Sequence, residues 1–270
     1  MPQLITLTTD FGISSPYVAQ MKGVILSRVA HANIIDISHA IAPQQIRAGA
    51  IVLRDVYKHF PPGTIHIAVV DPGVGTDRPL IYAQMHGQHF LAPDNGLLSL
   101  VARETKVTRI FTLTNRALWQ PQVSQTFHGR DVLAPVAAQL AQGIDPQLLG
   151  PSQSGMVMLD WPEPVALPGR IVGQVVEIDS FGNLITNISL ASLAAAIGQH
   201  TQRLEVELGG HVVVGLTRTY GDNPPETLTA LVGSSGYLEV AEVHGDAARR
   251  LKVVLDDPVV VHWPMTTPDD

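Results

Sequence analysis

The order of apolar and polar residues divides the chain into two parts with different periodicities. In the first part, short apolar runs typical of buried strands alternate with stretches in which apolar residues recur every three or four positions, as on one face of a helix. The predicted strands are Leu4–Leu7, Ile34–Ile37, Ile65–Val70 and Arg109–Leu113, and the predicted helices are Tyr17–Val29, Ile46–Phe60, Gly96–Arg103 and Asp131–Gln142. This alternation predicts a mostly parallel sheet covered by helices.

The second part consists mainly of short apolar runs separated by turn residues, which favours a small β-barrel or sandwich. Its predicted strands are Ile171–Ile178, Leu204–Leu208, Val212–Leu216, Thr229–Val232, Tyr237–Ala241, Leu251–Leu255 and Val259–Trp263, with one helix at Leu190–Ile197. Proline and glycine concentrate just before it and predict a linker. We therefore expect an α/β domain over 1–152, a linker over 153–169 and a smaller, β-barrel-like domain over 170–270.

Composition narrows the functional class. Hydrophobic residues make up 45% of the 270 positions and charged residues 15%, which is typical of a chain with a packed core. Lys and Arg number 17 against 24 Asp and Glu, a formal net charge of −7, so no basic surplus exists for binding nucleic acid. Cysteine is absent, which excludes disulfides and thiolate chemistry. The chain shows neither a signal-peptide pattern nor a long apolar run, and we expect a cytoplasmic protein without a membrane partner.

Acidic residues lie at the ends of three of the predicted strands. They are Asp10, Asp36 and Asp71. Ligands of open α/β sheets bind beyond the carboxyl ends of the strands, which makes this edge the candidate site. The segment Asp71–Arg78 contains two glycines that allow close backbone approach, but it lacks the Gly-Lys-Ser/Thr ending of a phosphate-binding loop.

Four further segments can be interpreted either as turns or as parts of a site. Phe127–Asp131 places His128 beside glycine, arginine and aspartate before a predicted helix, with Asp131 as the expected N-cap. Pro93–Leu98 has the composition of a tight turn entering another helix. Asp179–Asn187 joins two strand-like runs, and Gly233–Glu239 could form a hairpin or supply backbone donors to a carboxylate.

Taken together with Thr8–Gly12, these segments occur in an order that resembles the S-adenosylmethionine hydroxide adenosyltransferases, which are relatives of fluorinating and chlorinating enzymes. The resemblance implies that S-adenosyl-L-methionine is the substrate and not a cofactor, that water or hydroxide attacks the ribose 5′ carbon without a metal ion, and that adenosine and L-methionine are the products. It also implies a homotrimer in which the first domain of one subunit and the second domain of its neighbour form the site.

The resemblance further implies roles for individual residues. Asp71, Arg78 and His128 would position and activate the attacking water. The substrate-binding residues would be Asp10 for the ribose hydroxyls, Asn183 for the adenine edge, Phe181 for the adenine face, Asp179 for the methionine ammonium, Ser234 for the methionine carboxylate, and Tyr237 and Glu239 at positions near the ligand. Tyr237 and Glu239 are two residues apart and would share one face of a strand.

Departures from the halogenating relatives favour hydrolysis. Those enzymes carry tyrosine at the position of Asp71, threonine at Val74 and a Tyr-Ser pair at His128-Gly129. A carboxylate at the first of these positions would repel a halide ion. Gln44 stands where the halogenating relatives have a tryptophan that stacks on the ribose. The segment 242–245 differs from the usual pattern of both the hydrolases and the halogenating enzymes, so adenine recognition would differ if it depends on side chains there.

Three alternatives remain open from the sequence. The chain could bind S-adenosylmethionine or adenosine without turnover, or it could halogenate. It could also be a metal-dependent phosphoesterase built on Asp10, Asp71, Asp94 and His128, although the short His-containing motifs typical of such sites are absent.

Overall fold

Six strands form one sheet in the first of the two units into which the chain divides, Met1–Leu159 and Asp160–Asp270. The computed structural model describes residues 4–197 and 204–264. The strands are β1 (Leu4–Thr9), β2 (Asn33–Ser38), β3 (Ile65–Val69), β4 (Leu80–Met85), β5 (Gln88–Pro93) and β6 (Val107–Thr112), in the order β2-β1-β3-β5-β4-β6. The first four in this order pair in parallel, whereas β4 runs antiparallel to β5 and β6.

Helices cover both faces of this sheet. They are α1 (Tyr17–Arg28), α2 (Ile46–Tyr57), α3 (Ser99–Glu104) and α4 (Ala134–Ala141). Successive residues of a strand point to opposite faces, and accordingly Ile67 packs in the cluster that includes Met21 of α1, whereas Ala68 packs in the cluster that includes Leu53 of α2. No helix in the described part of the chain is long and apolar enough to cross a membrane.

The predicted α/β class is confirmed, and the hairpin of β4 and β5 was not anticipated. Both strands are buried almost throughout, so their sequences lack the alternation of apolar and polar residues that identifies a half-buried strand. The turn between them contains His86 and Gly87, both with positive φ angles. The hairpin adds the two antiparallel pairings of the sheet.

A π-helical turn over Gly129–Leu133 precedes α4, where a continuous α-helix was predicted. Pro135 therefore lies in the first turn of α4, directly after the π-helical turn. The prediction of Asp131 as an N-cap is wrong. Its buried carboxylate accepts the Ser124 backbone N–H at 2.8 Å and pairs with the Arg130 guanidinium at 2.6 Å, which anchors the preceding loop.

The second unit is built on an antiparallel, nearly closed sheet. Its strands are β7 (Val165–Leu167), β8 (Arg170–Ile178), β9 (Leu184–Ser189), β10 (Glu205–Leu208), β11 (His211–Val214), β12 (Leu228–Val232), β13 (Tyr237–Glu242) and β14 (Pro258–His262). Their order is β11-β10-β14-β8-β9-β13-β12, with β7 paired to β8. Beyond β11, the Thr217 N–H donates to the Ala230 carbonyl of β12 at 2.9 Å, which brings the two sheet edges together. The predicted barrel-like fold is confirmed.

The strand predicted at Leu251–Leu255 is wrong. Leu251 ends the short helix α6 (Ala247–Leu251), whose N-cap Asp246 accepts the Arg249 N–H at 2.8 Å. Lys252 adopts a left-handed conformation that stops the helix, and Leu255 is exposed. The apolar run therefore forms the end of a helix and the turn that follows it, and it pairs with no strand in the part of the chain that the structure describes. The helix predicted at Leu190–Ile197 is confirmed as α5 (Leu190–Ile197).

The segment predicted as a linker is attached by hydrogen bonds along much of its length. The Val157 N–H donates to Asp94 at 2.8 Å, and the Leu159 N–H donates to Ser99 at 2.8 Å, so these residues belong to the first unit. Strand β7 lies in the following part and pairs with β8 of the second unit.

A buried polar chain crosses the first sheet. Thr6 Oγ1 lies 2.7 Å from His66 Nδ1, and His66 Nε2 lies 3.3 Å from Gln88 Oε1. The Gln88 amide nitrogen donates to the carbonyls of Tyr57 and Phe60, so its oxygen is the acceptor and His66 carries its proton on Nε2. Burial lowers the pKa of His66 to about 4.

The hydrogen-bonded row of Thr6, His66 and Gln88 predicts a specific pH dependence of stability. An unfolded histidine binds a proton near pH 6.5, whereas His66 in the folded protein stays neutral to about pH 4. The unfolded state therefore gains protons first, and the free energy of unfolding should fall by roughly 3 kcal/mol as the pH drops from 6.5 to 4. In His66→Gln, which keeps an acceptor and a donor, this part of the denaturant-measured dependence should disappear. Identical profiles for the two proteins would contradict the assignment.

Candidate active site

Asp71, Arg78 and His128 form one hydrogen-bonded cluster. The Arg78 guanidinium pairs with both carboxylate oxygens of Asp71, with Nε donating to Oδ1 at 2.6 Å and Nη2 donating to Oδ2. Nη2 also lies 3.1 Å from His128 Nδ1. The side chains of Asp71 and Arg78 are only 6% and 11% exposed, so water screens their pairing weakly. The structure thus brings together the three residues expected to act on the nucleophile.

The loop between β3 and β4 folds back on itself and brings Arg78 to Asp71. Thr76 stabilises this path, since its hydroxyl donates to the Gly73 carbonyl at 2.7 Å and accepts the Arg78 backbone N–H at 3.4 Å. Gly75 has a φ of +83°, and a Cβ atom there would lie 2.7 Å from the Gln125 carbonyl oxygen. Only glycine fits this position without displacing the backbone.

The position of Arg78 fixes the tautomer of His128. A guanidinium is only a donor, so Nδ1 of His128 must be the acceptor and the neutral ring carries its proton on Nε2. Burial, and then the charge of Arg78, lowers the pKa of His128, while Asp71 and Asp131 act in the opposite direction. The ring is therefore neutral at neutral pH and presents an Nε2–H donor. It directly precedes the π-helical turn, an element often found at functional sites.

Asp10 lies at the same edge of the sheet. It follows β1, and its backbone N–H donates to the Val69 carbonyl at 3.3 Å, two residues before Asp71. One oxygen of its carboxylate accepts the Gln44 backbone N–H at 2.8 Å. The expectation that carboxylates gather at the ends of neighbouring strands is therefore met for Asp10 and Asp71.

Asp36 has a different environment from the other two strand-end carboxylates. It lies within β2, where it pairs with Lys22 at 2.6 Å and His39 at 3.1 Å. Partial burial alone would raise the pKa of Asp36, but the hydrogen bonds and charges of Lys22 and His39 lower it. His39 Nδ1 in turn lies 2.9 Å from the Thr9 hydroxyl, so this cluster braces the end of β1 beside Asp10.

An aromatic group joins the Asp10 and His128 segments. Phe11, Tyr17 and Phe127 pack edge to face with ring centroids 5.2 to 5.7 Å apart. Phe11 follows Asp10 and Phe127 precedes His128, so the packing of their rings holds the two polar residues in register. The sequence carries no signal of a functional role for Tyr17, because its position on a helix is compatible with ordinary core packing.

In the second unit, Asp179 organises the turn between β8 and β9. Its carboxylate accepts the backbone N–H groups of Phe181 and Asn183 at 2.8 and 2.9 Å and the Asn183 side-chain amide at 2.9 Å. Gly182 has a φ of +80°, and a Cβ atom there would overlap the carboxylate of Asp246 at the start of α6. The turn is thus held from both sides, and Phe181 within it is 75% exposed.

A cavity of about 500 Å³ opens beside this turn, within the second unit. Its lining brings together Asp179, Phe181 and Asn183, three of the residues expected to bind substrate, and adds the segment 242–245 whose sequence departs from the family pattern. The full lining consists of Asp179, Phe181, Asn183, Tyr220, Gly221, Glu242, Val243, His244 and Gly245. Tyr220 was not anticipated, because a single aromatic residue in a loop carries no periodic signal.

Ser234, Tyr237 and Glu239 do not line this cavity. Ser234 is exposed in the turn before β13, and Tyr237 is half-buried at the start of that strand. Glu239 is only 6% exposed and accepts the Tyr220 hydroxyl at 2.6 Å. Burial raises the pKa of Glu239, as does the nearby charge of Asp179, while the bond from Tyr220 lowers it.

The four residues of the phosphoesterase alternative do not present free carboxylates to a common point. Asp71 is paired with Arg78, and Asp94 accepts the Val157 N–H and the Gln153 amide. Over residues 4–197 and 204–264, no group of three or more His, Asp and Glu side chains is arranged to hold a metal ion.

Comparison with known proteins identifies a two-domain class. The chain matches the SAM hydroxide adenosyltransferase N-terminal domain over residues 5–150 and the corresponding C-terminal domain over residues 173–260. SAM denotes S-adenosylmethionine. The protein belongs to the SAM hydroxide adenosyltransferase family, as its sequence motifs predicted.

Individual relatives support the same assignment. A protein of Thermus thermophilus named (R)-S-adenosyl-L-methionine hydrolase is 38% identical over 259 residues, covering 93% of this chain and 96% of its own. A fluorinase of an Actinoplanes species is 28% identical, covering 88% and 90%. The solved structure of an uncharacterized conserved protein from Thermotoga maritima superposes with a TM-score of 0.90 at 35% identity, covering 96% of this chain and 99% of that one.

The cluster predicts opposite effects of two substitutions on the pKa of His128. Arg78→Met removes the charge that lowers this pKa and leaves Asp71 unpaired beside the ring, so the pKa should rise. Asp71→Asn removes a charge that raises it, so the pKa should fall. The ring can be followed by NMR titration of ¹⁵N-labelled histidine, with Arg116→Met as a control for net charge. A lower pKa in Arg78→Met would contradict the proposed coupling.

Proposed function

We propose that this protein hydrolyses S-adenosyl-L-methionine to adenosine and L-methionine by attack of a water-derived oxygen at the ribose 5′ carbon. The structural feature that supports this proposal is the Asp71–Arg78–His128 cluster at the edge of the first sheet. Four relatives named (R)-S-adenosyl-L-methionine hydrolase support it, since they are 34–38% identical over nearly the whole chain.

The chemistry requires orientation more than activation of the leaving group. The sulfonium makes methionine a neutral leaving group, so the C5′–O bond forms as the C5′–S bond breaks and its electron pair remains on sulfur. The attacking water gives up one proton, which passes to solvent water. The protein must hold the nucleophile in line with the breaking bond and stabilise the negative charge that the oxygen carries once it has lost its proton.

The cluster can meet both requirements. Arg78 supplies a fixed positive charge, and its pairing with Asp71 holds that charge in place. Because Nε2 of His128 already carries a proton, this atom orients the nucleophile as a hydrogen-bond donor and does not take a proton from it.

The remaining polar residues are assigned to substrate binding. Asp10 would accept hydrogen bonds from the ribose hydroxyls, and Phe181 and Asn183 would contact the adenine at the cavity of the second unit. Each oxygen of Asp179 already accepts a turn N–H, so its remaining lone pairs would receive the methionine ammonium. The exposed hydroxyl of Ser234 would meet the methionine carboxylate.

The names of the relatives add a stereochemical element that the motifs did not predict. They specify the R configuration, which we take to refer to the sulfonium centre, and we propose the same preference here. The homotrimer with its site at the subunit interface, the absence of a cofactor and the cytoplasmic location remain predictions.

The reaction can be tested directly. Purified, chelator-treated protein is incubated with each separated sulfonium epimer of S-adenosyl-L-methionine, and the products are measured by chromatography. We expect adenosine and methionine in equal amounts, formed faster from the R epimer. A 5′-halogenated nucleoside in parallel reactions with halide would indicate a halogenase, and tight binding without any product would leave a binding protein.

The role of His128 predicts a difference between two substitutions. His128→Gln keeps an N–H donor near the position of Nε2 but has no basic nitrogen, so turnover should stay within about tenfold of the unsubstituted protein. His128→Ala removes the donor and should lower turnover by about 10²–10³. Steady-state rates distinguish the two roles. Equal losses in both variants would show that His128 acts as the base.

A further inference from the structure

A buried carboxylate in the wall of the second unit is bonded to an aromatic residue that lines the cavity. Glu239 lies on β13 between β9 and β12, where it pairs with Ile185 and Leu231. Only 6% of the residue is exposed, and a carboxylate at this depth requires hydrogen-bond donors. The Tyr220 hydroxyl supplies one at 2.6 Å.

The surroundings of Glu239 are shaped to accept this carboxylate. A Cβ atom on Gly233 would lie 2.6 Å from Glu239 Oε2, so the glycine leaves the space that the second oxygen occupies. Asp179, at the edge of the same cavity, raises the pKa of Glu239 together with burial.

Tyr220 is held at its other end by the backbone. It begins a short 3₁₀ turn, Tyr220–Asp222, in which the Asp222 carboxylate accepts the backbone N–H groups of Arg218 and Thr219 at 3.1 and 3.3 Å. The residue is 40% exposed and lines the cavity with Phe181 and Asn183. With its main chain fixed by the turn and its hydroxyl fixed by Glu239, the ring has little freedom to rotate.

We propose that Glu239 is a positioning residue that fixes the Tyr220 ring as a wall of the substrate cavity and does not itself contact the substrate. This inference rests on the proposed function, because it takes the cavity as part of the S-adenosyl-L-methionine site. An aromatic surface that is already ordered binds a flat ligand group at a lower entropic cost. The pair therefore contributes to substrate affinity and leaves the bond-breaking step, at the cluster of the first unit, unchanged.

The direct-contact role expected from the sequence makes the opposite prediction for a conservative substitution. Glu239→Gln keeps a carbonyl oxygen that accepts from the Tyr220 hydroxyl, but it loses the negative charge that a substrate ammonium would require. Glu239→Leu removes the acceptor, and Tyr220→Phe removes the donor while keeping the ring.

Steady-state kinetics of these variants test the proposal. We expect the KM of Glu239→Gln to stay within about threefold of the unsubstituted protein, while Glu239→Leu and Tyr220→Phe each raise KM about tenfold at unchanged kcat. The variant that combines Glu239→Leu with Tyr220→Phe should have a KM no higher than that of Glu239→Leu alone. If Glu239→Gln loses as much as Glu239→Leu while Tyr220→Phe keeps its affinity, Glu239 contacts the substrate and the proposal is overturned. The Gln and Phe variants decide the question even if the Leu variant does not fold.

An NMR titration separates this proposal from the proposed function, because it needs no substrate. Burial and the bond to Glu239, with a further effect of Asp179, raise the pKa of the Tyr220 hydroxyl. In protein labelled with ¹³C at the tyrosine ζ carbon, the signal missing from Tyr220→Phe identifies Tyr220. Its titration should begin at lower pH in Glu239→Leu than in the unsubstituted protein. If the titration of Tyr220 is the same in Glu239→Leu, the bond does not form and the positioning role of Glu239 is overturned. If the titration shifts as expected but the protein has no turnover, only the proposed hydrolase function is contradicted.

Discussion

The pairing of Arg78 with Asp71 is the interaction on which the candidate active site depends. It neutralises a carboxylate that is almost fully buried, which would otherwise be costly. It also closes the loop between β3 and β4 and directs the remaining guanidinium donor at His128, which sets the tautomer of that ring. One ion pair thus determines loop conformation, local charge and the donor that the histidine presents. The parallel pairing of β1 and β3 then brings Asp10 to the same edge of the sheet.

Three acidic residues hold parts of the protein in place by accepting hydrogen bonds from neighbouring residues, and these bonds need no ligand. Asp179 closes the turn at the cavity, Asp131 anchors the loop before His128, and Glu239 holds Tyr220. In each case a backbone or side-chain donor satisfies a carboxylate that is wholly or partly removed from water, so the site is ordered in advance. This ordering suits a displacement reaction in which the substrate already contains its leaving group and the protein supplies orientation.

Sequence periodicity predicted most elements because their apolar residues form either a short, mainly apolar run, as in β1 and β3, or one face of a helix. It missed β4 and β5, whose apolar runs are interrupted or flanked by the polar residues Gln84, Gln88 and His89, and it assigned a strand to Leu251–Leu255 because a short apolar run does not distinguish a helix end from a strand. Asp10 and Asp71 could be placed together from their positions at strand ends. The contact between Arg78 and His128 could not, since it depends on loop closure around Gly75 and on a π-helical turn. Tyr220 lies in a loop, and only the folded chain shows its bond to Glu239.

The path of the oxygen atom tests the central claim most directly. The reaction is carried out in H₂¹⁸O, and the products are analysed by mass spectrometry. If the nucleophile held at Asp71, Arg78 and His128 attacks the ribose 5′ carbon, one ¹⁸O atom appears in the 5′-hydroxyl of adenosine and the methionine remains unlabelled. Adenosine without the label would contradict this account. So would ¹⁸O-labelled homoserine formed together with methylthioadenosine, because attack would then have occurred on the methionine side chain.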